Sequence, residues 1–197
     1  SITFNVFASD PDGDGVTLSA VGGALSEVAH PASFASVGAG NGVFSWSPEC
    51  AEVRAQPYQV VFKAQDVGNA IPLVDLETRQ ITVISPPVTQ LVVDPVGYDM
   101  SVTWQPNECV DALTNPLQVL GGYEVHRRTA DEETDWEPAL CETGIPADAG
   151  YTLVGSVESL DEVGWVDDTG LSFGVTYCYR VVTRYGDGAL SLASEEV

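Results

Sequence analysis

The sequence predicts an all-β chain, and three observations predict it: apolar and polar residues alternate with a period of two, turn-forming clusters recur at short intervals, and no stretch keeps a helical period. In PYQVVFKAQD, Tyr58, Val60, Phe62 and Ala64 share one face, and Gln59, Lys63 and Gln65 the other. One dry and one wet face per strand is the pattern of antiparallel sheets. Gly, Pro, Asn and Asp cluster at 10–15, 38–42, 66–72, 105–107, 167–170 and 186–188, leaving room for many short strands of a sandwich or barrel. No segment holds a 3.6-residue period over three turns, and SPECAEVRAQ supplies one helical turn at most.

Taken in order, SITFNVFAS reads as a strand already under way, which suggests a piece of a longer protein. FSWSP and PYQVVFKAQD follow as strands, and RQITVI ends at ISPPVTQL. Pro86 and Pro87 cannot donate to a ladder and stiffen a short linker, so the expected domains are 1–85 and 86–197. In the second part SVTWQP sets Val102 and Trp104 against Ser101 and Thr103. GYEVHRR sets Tyr123, Val125 and Arg127 against Glu124, His126 and Arg128. TYCYRVVTRY sets Tyr177, Tyr179 and Val181 against Cys178, Arg180 and Arg184.

Charge is the loudest feature of the composition: 7 Lys and Arg face 29 Asp and Glu, for a net −22. Such a surface repels phosphate backbones and lacks the basic stripe of a nucleic-acid binder. Hydrophobic residues, at 44%, suffice for packed cores, so wholesale disorder is not expected. No apolar run approaches the roughly 20 residues of a membrane helix, so no membrane insertion is expected. Cys50, Cys109, Cys141 and Cys178 show no zinc-type spacing, and four scattered cysteines read as two disulfides of an exported protein. Four cysteines allow three pairings.

VTW at Trp104, GYEVHRR and GLSFGVTYCYRVVTRYGDGALSLAS together resemble a fibronectin type III domain across the second part, with an extended C–C′ connection at 129–150. Leu171 and Tyr177 fall where that family keeps its tyrosine corner. FNVFASDPDGDGVTLSAVG, GVFSWSP and PYQVVFKAQDVGN resemble the cadherin-like, immunoglobulin-like repeats of bacterial surface proteins, with the first strand of the pattern missing. The resemblance implies two tandem Greek-key β-sandwiches, immunoglobulin-like and then fibronectin type III. The tandem is similar to large exported proteins of gliding Bacteroidetes. It implies an extracellular, cell-surface module for adhesion or motility, whose partners are neighbouring domains of the same chain and surface glycans or proteins. The rival expectation is a carbohydrate-binding or spacer region of a secreted polysaccharide-degrading enzyme, for which Trp136 and Trp165 are the loop or edge aromatics.

Strand directions implied by the resemblance bring Asp66 to the end occupied by Asp10, Asp12 and Asp14. Four converging carboxylates repel unless a cation lies among them, so a structural calcium is expected there. The same directions imply Cys50–Cys109 across the domain junction and Cys141–Cys178 within the second domain. No catalytic arrangement stands out: there is no GxSxG, no HExxH and no phosphate-cradling loop followed by Lys. His30 and His126 read as surface histidines, DEETD at 131–135 as a solvated run, and the chain as a non-enzyme.

Overall fold

The structure, a computed structural model, describes residues 1–68, 71–111, 120–132, 134 and 136–197. The chain divides into two compact units, Ser1–Glu52 with Gln56–Val83, and Val53–Ala55 with Ile84–Val197. The break after Val83 falls two residues ahead of the expected boundary at 85/86. The described residues are all-β, with four small antiparallel sheets, consistent with a β-sandwich in each unit.

The first unit holds strands β1 (Ile2–Phe7), β2 (Gly15–Gly22), β3 (Ser33–Gly38), β4 (Asn41–Trp46), β5 (Tyr58–Val67) and β6 (Val74–Ile81). A four-residue helix α1 (Gly23–Ser26) and a 3-10 turn at Cys50–Glu52 lie between them. The sheets run β1-β4-β3 and β2-β5-β6. Register puts Phe4 opposite Phe44 and Ile2 opposite Trp46, so the alternation of ITFNVF sends one face inward. Phe4 stacks on Phe44 at 5.0 Å, and both meet the edge of Phe62 at 5.9 Å, joining one sheet to the other. Trp46 and Tyr58 repeat the contact at 4.9 Å. Each such pair adds about 1 kcal/mol beyond the area it buries. Gly42 leaves room for the Phe34 ring; a Cβ there would lie 2.4 Å from it.

The second unit holds β7 (Thr89–Val96), β8 (Asp99–Gln105), a four-residue helix α2 (Glu108–Asp111), β9 (Gly122–Thr129), β10 (Thr152–Val157), β11 (Gly164–Asp167) and β12 (Tyr177–Arg184). Its sheets run β11-β8-β7 and β10-β9-β12. The C-terminal segment lies along β12: Ser191 N–H donates to Thr183, Ser194 N–H to Val181, and Val197 and Tyr179 exchange both bonds. Ser85 runs beside Ser191 in parallel. The core gathers Val102, Trp104, Tyr123, Val125, Tyr179 and Val181. β7 and β8 turn over two residues, with Gly97 at φ 69, a conformation in which glycine lacks the usual Cβ penalty.

Expected and observed burial part on β12. The alternation predicts a wet face carrying Cys178 and Arg180, yet Arg180 and Val182 are buried along with Tyr179 and Val181. Trp136, Glu137 and Tyr151, from a stretch with no periodicity of its own, meet Arg180 on that face. His126, expected at the surface, is 8% exposed beside Arg180 in the register. His30 is half-buried, and its backbone N–H and Nδ1 both meet the buried carboxylate of Glu52.

Candidate functional site

β1 pairs with β4 and β6 pairs with β5; on its other side neither strand has a partner strand among the described residues. These two open edges flank one groove of about 550 Å³, lined by Ile2, Phe4 and Val6 from β1, Glu77 and Arg79 from β6, and Phe62 from β5. Phe62 is buried, whereas Phe4 is only half-buried and Ile2 is 39% exposed, so part of the apolar core of this unit meets solvent. Glu77 pairs opposite Phe62 and Arg79 opposite Val60, which places both charges on the core-facing side of β6. They form an ion pair with each other at 2.5 Å.

The acidic turn is organised by its own backbone. Asp10 Oδ1 accepts the N–H of Asp12 at 2.8 Å and of Asp14 at 3.3 Å, closing an Asx turn. Asp66 is buried, and its Oδ1 accepts the N–H of Leu73 at 2.7 Å. Asp10 and Asp66 line one depression of about 270 Å³, while Asp12 and Asp14 are not among its walls. The structure therefore brings two of the four expected ligands together. Among the described residues there is no group of three or more Asp, Glu, His or Cys side chains arranged to hold a metal. The carboxylates of Asp10 and Asp66 act as caps of backbone N–H groups, whereas a calcium cage takes six to eight oxygens.

In the second unit, the outer face of β9 and β12 carries a cationic–aromatic cluster. Arg180 donates from Nε to the Tyr151 hydroxyl at 2.9 Å and from a terminal nitrogen to the carbonyl of Ser194 at 2.7 Å. Its guanidinium lies 5.5 Å above the Trp136 ring, a desolvated cation–π contact. Burial pulls the Arg180 pKa down, against the attraction of Glu137. Arg128 forks onto both carboxylate oxygens of Glu196 at 2.7 Å, and Tyr151 also donates its hydroxyl to that group. Trp136 Nε1 donates to Glu142 at 3.1 Å. These contacts hold Trp136, Glu137 and Tyr151 against the sheet, so Trp136 is part of the packing.

A second polar pair lies between the sheets of this unit. Asp167 on β11 is fully buried and accepts Arg127 at 2.5 Å and the Tyr179 hydroxyl at 2.7 Å. Burial first, then the bond to Asp167, holds the Tyr179 phenol well above its ordinary pKa. At the start of β12, the Tyr177 hydroxyl accepts the N–H of Ser172 at 2.7 Å. Below it, Tyr98 and Phe173 are 90% and 100% exposed and line one shallow depression of about 190 Å³. Sequence reasoning passed over these two aromatics in favour of Trp136 and Trp165. Their places at the tips of GYD and SFG turns were the available signal.

Of the two expected disulfides, Cys50–Cys109 is present. Cys141 and Cys178 are free thiols, the first exposed and the second half-buried, so the expected Cys141–Cys178 bond is not formed. Cys178 stands opposite Arg128 on the covered face, whereas Cys141 occupies an exposed turn closed by the bond from Glu142 N–H to Ala139. No family model and no curated protein matches the chain.

Proposed function

We propose that the chain is a pair of non-catalytic modules, an immunoglobulin-like sandwich followed by a fibronectin type III sandwich, from a large exported bacterial cell-surface protein. There it spaces and presents neighbouring domains and serves adhesion. The observation that carries the reading is the Cys50–Cys109 disulfide, because such bonds persist in oxidising, extracytoplasmic settings. The strand orders of the two units and the bond from Ser172 N–H to the Tyr177 hydroxyl support the two fold assignments. A net charge of −22 keeps such a surface soluble and apart from nucleic acid. Calcium forms no part of the proposal.

A second reading, a carbohydrate-binding region of a secreted polysaccharide-degrading enzyme, draws support from exposed Tyr98 and Phe173. One experiment separates the two. The purified chain is passed over a glycan array and a panel of hydrolase substrates, beside a Tyr98→Ala/Phe173→Ala variant. The spacer reading predicts no turnover and no glycan binding that depends on these two rings. Glycan binding lost in the double variant transfers the argument to the second reading, and turnover abolished by one substitution overturns both.

A further inference from the structure

We infer that Asp12 is a site of spontaneous covalent modification, where the Asp12–Gly13 bond rearranges through a cyclic imide to isoaspartate while the fold holds back the other bonds of that kind. This chemistry is independent of the spacer role. It needs glycine after an acid or amide side chain, because a Cβ there hinders approach of the backbone nitrogen. The sequence offers Asp12–Gly13, Asp14–Gly15, Asn41–Gly42 and Asp187–Gly188. Composition favours Asn41, since an amide gives up ammonia more readily than a carboxyl gives up water. Placement reverses that order.

The step balances without a co-reactant. The amide nitrogen of Gly13 attacks Cγ of Asp12, the amide proton leaves, and the Cγ–oxygen bond breaks with release of one water. Water then opens the ring. Opening at Cγ restores aspartate, whereas opening at the α-carbonyl leaves Gly13 joined to Cγ and the α-carboxyl free. Nothing is oxidised or reduced, and the net charge is unchanged.

The other bonds are guarded. Asn41 donates its side-chain amide to the carbonyls of Gly38 at 3.3 Å and Ala39 at 2.8 Å, and Gly42 is buried in β4 between Val6 and Ser36. Asp187 accepts the N–H of Ala189 at 3.0 Å on one oxygen and of Ala55 at 3.1 Å on the other. Gly188 N–H is itself committed to the Tyr185 carbonyl at 2.9 Å. Gly15 opens β2 opposite Val67, so ladder pairing fixes the backbone that would have to turn.

Asp12–Gly13 escapes each of these constraints. Both residues are exposed. Gly13 stands at φ 89, and nothing lies within 4 Å of the place a Cβ would take. Its N–H reaches the Asp10 carbonyl at 3.3 Å, beyond the usual range of about 2.7–3.2 Å. Asp12 is held through its backbone N–H, by Asp10 Oδ1, and among the described residues nothing bonds to its carboxylate. Exposed turns of small and polar residues are where local freedom concentrates. Isoaspartate puts one more backbone atom between Asp12 Cα and Gly13. The bond from Asp14 N–H to Asp10 Oδ1, already 3.3 Å long, is the one this insertion displaces, so the connection from β1 to β2 loosens with age.

The test incubates the full chain at neutral pH and body temperature, folded in one arm and in denaturant in the other. Peptide mapping with electron-transfer fragmentation locates isoaspartate, and water labelled with heavy oxygen marks every site that has passed through the imide. In the folded arm both signals should collect at Asp12. In denaturant Asn41 should overtake it, and Asp14 and Asp187 should rise to its level. Asp12→Glu keeps the charge but lengthens the side chain past easy ring closure, and should lose the signal in the folded arm; thermal unfolding checks that this variant is folded. Folded protein without isoaspartate at Asp12, equal or greater modification at Asp14, Asn41 or Asp187, or a distribution among sites that denaturant leaves unchanged overturns the inference.

Discussion

The two units face the same problem, how to finish a small antiparallel sheet, and treat it differently. In the second unit β8 is flanked by β7, the C-terminal segment runs along β12, and Trp136 and Tyr151 pack on Arg180 at the outer face of β12. In the first unit β1 has no outer neighbour strand, and every residue of β6 except Ile81 is exposed. Both cores rest on aromatic contacts between sheets, so the interiors differ less than the borders. A domain of this size has little stability to spare.

The comparison is broken most forcefully at Asp167. Its carboxylate is fully buried between Arg127 and Tyr179, so Asp167→Ala leaves the buried Tyr179 hydroxyl without its acceptor and the half-buried Arg127 with only the Thr169 carbonyl, and should cost the second unit about 3 kcal/mol. Calorimetry should show the transition of that unit moving down while that of the first stays in place. A loss below about 1 kcal/mol would mean that the pair is solvated and does not join the sheets.

Alkaline titration sharpens the same contrast. The folded pKa of Tyr179 is raised, so its contribution is full below the ordinary value of about 10 and is lost as pH climbs past it. Above that pH the unfolded chain releases a proton that the native phenol keeps. Tyr185 is raised in the same direction, first by burial. Denaturant melts between pH 9 and 11 should show stability falling, and Tyr179→Phe should remove part of the slope. An identical slope in the variant would place the titration elsewhere.

The smallest effect belongs to the acidic turn of the first unit. If Asp10 is a cap, Asp10→Ala should cost about 1 kcal/mol, the usual worth of such hydrogen bonds, with or without millimolar calcium. A calcium-dependent rise in melting temperature that disappears in Asp12→Ala would instead mean that the four carboxylates gather around an ion in solution.

Much of the fold was legible because strand alternation is local. FSW, YQVVF and YEV reveal their inward faces without knowledge of any neighbour, and Pro86 and Pro87 lie just past the break between units. What stayed hidden depends on long-range contact. Nothing near Arg127 announces Asp167, 40 residues away. The cover on β12 comes from a segment with no period, so Arg180 and His126 read as solvated when they are buried. Cys141 lies in an exposed turn away from half-buried Cys178, which local sequence does not reveal. Asp10 and Asp66 each accept backbone N–H groups, a role that composition cannot distinguish from metal ligation.

Residue-resolved amide hydrogen exchange on the intact chain tests the central claim, that β1 has an open edge where β8 has a paired one. In an antiparallel edge strand, successive amides point alternately toward and away from the neighbour. Along Ile2–Phe7 the exchange rates should therefore alternate, slow where the N–H meets β4 and fast where it faces the groove, while Val102 and Thr103 on β8 should both be protected. Uniform protection along β1 would contradict the account, because it would require a partner already seated on that edge.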